Sequence, residues 1–257
     1  LIRVLLFLYF LIMGLMMHNY ARAESGSIAL YDYAQNEYLN EYNVNEVRSI
    51  ASITKLFTAI TVLRSGADLD EKIKIAGKSS SHFANGTVMT RRNVMHAMLT
   101  SSDNRSAETL ANTYPGGFDK FIFDVNEYAQ THGLINTHLV DATGLLAGNV
   151  STAEDLLRFL SLIAENATIR ELANDRTVDI EIDRGRKHMK IHLHNTNPSI
   201  YKFDNILISK TGFTNSAGRC VLMLVEKSQR FYGVVVLGQQ TVKQRSKIAN
   251  DLIVSAL

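Results

Sequence analysis

One cysteine, Cys220, and two prolines are all that the 257 residues contain of either type. A lone thiol excludes an intramolecular disulfide, so the fold must rest on its core, and Cys220 reads as a buried strand residue rather than a reactive thiol. No stretch is rich enough in Pro, Gly or Ser to separate independent domains, and no internal repeat is present. The apolar run from Val4 to Met17 is too short for a comfortable membrane span. With Arg3 before it and Ala21-Arg22-Ala23 after it, it predicts a secretory signal over residues 1–23, cleaved after Ala23; an uncleaved anchor is the alternative. Charge of one sign is also lacking. The formal +2 comes from Arg3 and Arg22, and residues 24–257 carry 25 basic and 25 acidic side chains, which excludes nucleic-acid binding by bulk charge. There is no G-x-S-x-G, no H-E-x-x-H and no glycine-rich phosphate loop.

What is present is an ordinary globular composition, 46% hydrophobic and 20% charged, which excludes disorder and predicts one domain over residues 24–257. Ser27–Tyr33 and Tyr38–Tyr42 read as a hairpin turning near Asn36. A helix is predicted from Ala51 to Leu63, a short strand at Ile73–Ile75 and a polar loop from Ser79 to Gly86. Helical patterns from Arg91 to Ala111 break at Thr100–Asn104 and end at Pro115-Gly116-Gly117. Helix Phe118–His132 follows, closed by Gly133. Val140–Leu145 is loop, and Ser151-Thr152-Ala153-Glu154 reads as a capping box for a helix to about Glu165. Strands are predicted at Val178–Ile182, Met189–His194, Ile206–Gly212, Arg219–Glu226 and Phe231–Leu237, before a last helix, Val242–Ala256. Strands at both ends with helices between imply an α+β fold. It has an antiparallel sheet of about five strands flanked by helices, with the N-terminal hairpin joined to the C-terminal strands and a helical lobe beside it.

The chemistry begins at Ser52-Ile53-Thr54-Lys55, a hydroxyl and an amine one helical turn apart: a nucleophile beside a candidate base. Alone the pattern decides nothing, because on the order of one S-x-x-K is expected by chance in a chain of this length. A second copy, Ser199-Ile200-Tyr201-Lys202, follows Pro198 and reads as such a chance match. Ser102-Asp103-Asn104, in the break between two helices, and Lys210-Thr211-Gly212, ending a late strand, complete an ordered S-x-x-K, S-D-N, K-T-G trio.

The trio resembles the low-molecular-mass penicillin-binding proteins, as do Leu99–Ala107, Tyr114-Pro115-Gly116-Gly117, Asn195-Thr196-Asn197 and Lys210–Gly218. The resemblance runs from about Ser27 to Gly238 and is strongest to the D-alanyl-D-alanine endopeptidase branch of the serine D-Ala-D-Ala peptidases. One catalytic domain without an extra C-terminal β-domain fits that shorter branch. The resemblance implies a β-lactamase/transpeptidase-like fold and a periplasmic hydrolase that cuts D-Ala-diaminopimelate cross-links through an acyl-enzyme, with D-Ala-D-Ala carboxypeptidase as the alternative. The implied partners are peptidoglycan stem peptides and, as covalent inhibitors, β-lactam antibiotics. Weak membrane or cell-wall association is a further expectation; no cofactor, metal or nucleic acid is implied.

Each residue then has a chemical role to fill. Ser52 needs a base within hydrogen-bond reach, and Lys55 can serve only with a depressed pKa. Ser102 can relay the proton to the departing amine, and Asn104 can bind substrate backbone or orient Lys55. Lys210 and Thr211 would meet a substrate carboxylate, and Gly212 would let the substrate lie along the strand edge. By similarity to the family, the backbone N–H groups of Ser52 and Phe213 form the oxyanion hole. With both lysines in one cleft, Lys55 is expected to be neutral and Lys210 charged.

The rivals are a class A β-lactamase and a peptidoglycan-binding or penicillin-sensing module with a vestigial site. The first needs an E-x-x-L-N segment, where this chain has His138-Leu139-Val140-Asp141-Ala142-Thr143-Gly144 and no glutamate. The intact trio argues against the second. His188, His192 and His194 could hold zinc but read first as an ordinary strand face. Arg184-Gly185-Arg186-Lys187 reads as a solvated turn before it reads as a contact for anionic wall polymer.

Overall fold

The computed structural model describes residues 26–256; the predicted signal segment lies outside them. In chain order, β1 (Ser27–Asp32), β2 (Glu37–Tyr42) and β3 (Arg48–Ser49) lead to a 3-10 turn (Ala51–Ile53) and helix α1 (Thr54–Arg64). Next come β4 (Lys72–Lys74), β5 (Val88–Thr90), α2 (Arg91–Thr100), α3 (Asn104–Asn112) and α4 (Gly117–Thr131). β6 (Val150–Ser151), α5 (Ala153–Ile163), α6 (Ala167–Asn174), β7 (Thr177–Arg184) and β8 (Lys187–His194) follow. The chain closes with β9 (Ile206–Thr214), β10 (Gly218–Lys227), β11 (Arg230–Gln239) and α7 (Val242–Ala256).

The expected five-stranded antiparallel sheet has the order β2-β1-β11-β10-β9, with Ser27 opposite Leu237 and Asp32 opposite Tyr232. Its inner strands β1, β11 and β10 are apolar on both faces because helices cover both. Ile28, Leu30, Val221, Met223, Val234 and Val236 pack with Ala249, Leu252 and Ile253 of α7. Ala29, Leu222, Leu224, Val235 and Leu237 face the main core, where Phe57 of α1 stacks on Phe159 of α5 at 3.7 Å between ring centroids. Cys220 is fully buried in β10, as expected, and burial raises its thiol pKa to about 11. β9 is an edge strand, and the 3-10 turn before α1 packs against it.

Three local expectations need correction. The strands predicted at Val178–Ile182 and Met189–His194 are longer and form their own four-stranded sheet, β4-β5-β7-β8, beside the helical lobe. The cap of α5 is Thr152, whose side chain accepts from Asp155 N at 3.0 Å; Ser151 instead pairs with Thr137, 2.8 Å between hydroxyls. Helix α6, capped by Asn166, occupies a stretch that had no predicted element; eight residues offer too few turns for a clear period.

Candidate active site

The site forms where the edge strand β9, the start of α1 and the α2–α3 junction meet. Ala51 holds φ +46°, a left-handed conformation costly for a residue with a Cβ, and it turns the chain from β3 so that Ser52 opens the helix. A Cβ on Gly212 would lie 2.8 Å from Ser52 N and 3.1 Å from Ile50 O, so only glycine lets β9 lie this close to the turn. The close approach expected of Gly212 is therefore made first by the protein's own backbone.

Lys55 is fully buried and its Nζ donates to three oxygens: Ser52 Oγ at 2.9 Å, Asn104 Oδ1 at 2.8 Å and the Thr143 carbonyl at 2.6 Å. Burial lowers its pKa from 10.5 to about 7, against the opposing pull of Asp141, Asp103 and Glu108. Asn104 opens α3, and its Nδ2 donates to Ser80 Oγ at 3.3 Å, an orientation that leaves Oδ1 for Lys55. Asp103, 3% exposed, caps α3 through Ser106 N at 2.8 Å and holds the 79–86 loop through His82 N at 2.8 Å and Ser81 Oγ at 3.0 Å. Ser102, half-buried at φ +62°, forms the bend before that cap and stands outside the Lys55 network.

On the β9 side, Thr211 Oγ1 lies 2.6 Å from Thr196 Oγ1, and Thr196 N donates to Thr100 O at 3.2 Å, so the segment after β8 ties the strand to the end of α2. Phe213 is 45% exposed, with the Arg219 guanidinium 3.4 Å over its ring. Lys210 is 1% exposed, and among the described residues its Nζ donates only to Thr211 O, at 3.1 Å. Burial first, then the charges of Lys55 and of Arg245, 4% exposed on α7, hold the Lys210 pKa well below its usual value. Burial thus pushes both amines toward the neutral form; Lys55 has three acceptors and the opposing pull of nearby carboxylates, whereas Lys210 has one carbonyl acceptor.

Sequence reasoning did not assign Thr143, Thr196, Ser80 or Arg245. The Thr143 contact is through backbone, which any residue type provides, so no residue-type signal could have marked it. The second S-x-x-K is structural: Ser199, buried, donates to Asn250 Oδ1 at 2.7 Å, and Lys202 is exposed. His188 and His192 pair across the β7–β8 hairpin with Asp183 at 2.8 Å and Asp179 at 2.7 Å. Arg184–Lys187 is the hairpin's turn, with Gly185 at φ +62°.

Residues 16–241 match the family model described as D-alanyl-D-alanine carboxypeptidase, the S11 peptidases. The chain belongs to this family of serine peptidases. It is 35% identical over 221 residues to a D-alanyl-D-alanine endopeptidase of Escherichia coli, covering 83% of this chain and 71% of that protein. A D-alanyl-D-alanine endopeptidase of Pseudomonas aeruginosa is 36% identical over 221 residues, with the same shares covered. Among solved structures, a penicillin-binding protein of Listeria monocytogenes in its ampicillin-bound form superposes with a TM-score of 0.79 at 29% identity, covering 88% of this chain and 94% of that one. The S11 chain therefore has the α+β, β-lactamase/transpeptidase-like fold that its motifs implied.

Proposed function

We propose that this S11 peptidase is a D-alanyl-D-alanine endopeptidase that cuts D-Ala-diaminopimelate cross-links in peptidoglycan through an acyl-enzyme on Ser52. The observation that carries this reading is the 2.9 Å contact between Ser52 Oγ and the buried Lys55 amine, whose pKa is lowered to about 7. A base with that pKa is half neutral near physiological pH and still strong enough to take a hydroxyl proton. Ser52 Oγ bonds to the D-alanyl carbonyl carbon while its proton passes to Lys55 Nζ and the carbonyl π electrons move to oxygen. By similarity to the family, the N–H groups of Ser52 and Phe213 would take that oxyanion. Collapse breaks the C–N bond and expels the cross-linking amine, which takes the proton held on Lys55 Nζ with Ser102 as the relay. Water then adds to the acyl carbon, giving its proton to Lys55, and Ser52 Oγ leaves and recovers that proton.

Asn104, Lys210, Thr211 and Gly212 hold the peptide in this reading. A substrate carboxylate reaching Lys210 would favour its protonated form, because an opposite charge in a confined cleft raises an amine pKa. The two endopeptidase relatives favour the cross-link as substrate over a terminal D-alanine. The same similarity and the β-lactam-bound neighbour support covalent inhibition by penicillins. The Arg3–Ala23 pattern supports export to the periplasm, where residues 24–257 would act as one catalytic domain.

Digestion of cross-linked muropeptides by the protein, with Ser52→Ala as control, tests the proposal. Cleavage at the D-Ala-diaminopimelate bridge is expected. Loss of terminal D-alanine alone would make the protein a carboxypeptidase, and no product would leave a binding module.

A further inference from the structure

The Val140–Leu145 loop contributes no motif, yet it supplies the third acceptor around Lys55. We propose that Asp141 is a positioning residue for acylation: its carboxylate knots this loop so that the Thr143 carbonyl fixes the direction of the Lys55 lone pair. This inference rests on Lys55 being the base.

Asp141 Oδ1 accepts from Thr143 N at 2.5 Å, Gly144 N at 2.6 Å and Thr143 Oγ1 at 2.9 Å, and its Oδ2 accepts from Leu146 N at 2.8 Å. Four donors on one carboxylate leave the turn little freedom. The knot is seated from both sides. Asn149, fully buried, accepts from Val140 N at 2.7 Å and Asp141 N at 3.1 Å, and Thr58 Oγ1 of α1 donates to Ala142 O at 2.8 Å. Gly144, at φ +81°, lies so close to the nucleophile turn that a Cβ there would fall 1.9 Å from Ala51 O.

A neutral lysine has two N–H bonds and one lone pair. Asn104 Oδ1 and Thr143 O carry no hydrogen, so both N–H bonds go to them, at 2.8 and 2.6 Å. The remaining tetrahedral position is the lone pair, and it faces the Ser52 hydroxyl at 2.9 Å. If the Thr143 carbonyl drifts, an N–H can turn toward Ser52 and the lone pair turns away. Asp141 also adds charge: with Asp103 and Glu108 it favours the protonated amine, against burial.

The test is the rate of acylation by a fluorescent penicillin across pH, for the wild type, Asp141→Asn and Asp141→Ala. Asparagine keeps the shape but loses the charge, so Lys55 gives up its proton more readily and the acid limb should move to lower pH. The plateau rate should fall roughly tenfold in Asp141→Asn and about a hundredfold in Asp141→Ala, the scale of a misplaced reacting group. A wild-type plateau, or a lower plateau with the acid limb unmoved, in either soluble variant would overturn the proposal. Lys55→Arg distinguishes the two levels: if it still acylates, Lys55 is not the base, whereas an inert Lys55→Arg with an unaltered Asp141→Asn removes only the role of Asp141.

Discussion

Gly212 and Ser52 are held so close that a Cβ on the first would lie 2.8 Å from the backbone nitrogen of the second. The other atoms in the way are Ala51 Cβ at 2.9 Å and Ile50 O at 3.1 Å, mostly main chain that cannot rotate aside. Gly212→Ala must therefore push β9 off the nucleophile turn. Acylation by a fluorescent penicillin should slow by about a hundredfold or more, as expected for a displacement near 1 Å. Unaltered labelling would mean that the turn can yield without cost.

Lys55→Arg should abolish acylation, because a guanidinium does not give up its proton in this range. Labelling of the purified variant by the same penicillin checks it. Retained labelling would count against Lys55 as the base, whatever the geometry.

The pH dependence of acylation has a fixed sign. Lys55 acts as a base only when neutral, and its pKa is lowered to about 7. The acylation rate should thus rise with pH through about 7 and level off above it. A rate that is flat from pH 5 to pH 9 would assign the proton to another group.

Asp103→Ala removes the cap of α3 and both contacts to the 79–86 loop. Losing a buried charge-assisted cap should cost about 1–3 kcal/mol of stability, readable as a lower urea midpoint with unchanged slope. An unchanged midpoint would mean that water replaces all three bonds.

Bound penicillin should leave slowly. The segment that would supply a deacylating glutamate in a class A β-lactamase reads His138–Gly144 here, and its one acid, Asp141, is fully engaged with the backbone of its own turn. A fluorescent adduct stable over a gel is expected; rapid turnover would restore the β-lactamase reading.

The sequence by itself determined which residues can react and what class of fold carries them. Ser52 and Lys55 one helical turn apart, the polar break holding Ser102 and Asn104, and apolar strands at both chain ends are local patterns, written in residue type and spacing. Tertiary structure alone decided how those groups behave. Lys55 has three acceptors while Lys210 has one, and burial lowers the pKa of both, which no spacing in the sequence could show. The β7–β8 hairpin joined a second sheet because its partners, β4 and β5, come from far upstream. The Thr143 carbonyl reached Lys55 across 88 positions of chain. A backbone oxygen has no residue-type signature, and its place is fixed only when Asp141 folds the turn that carries it.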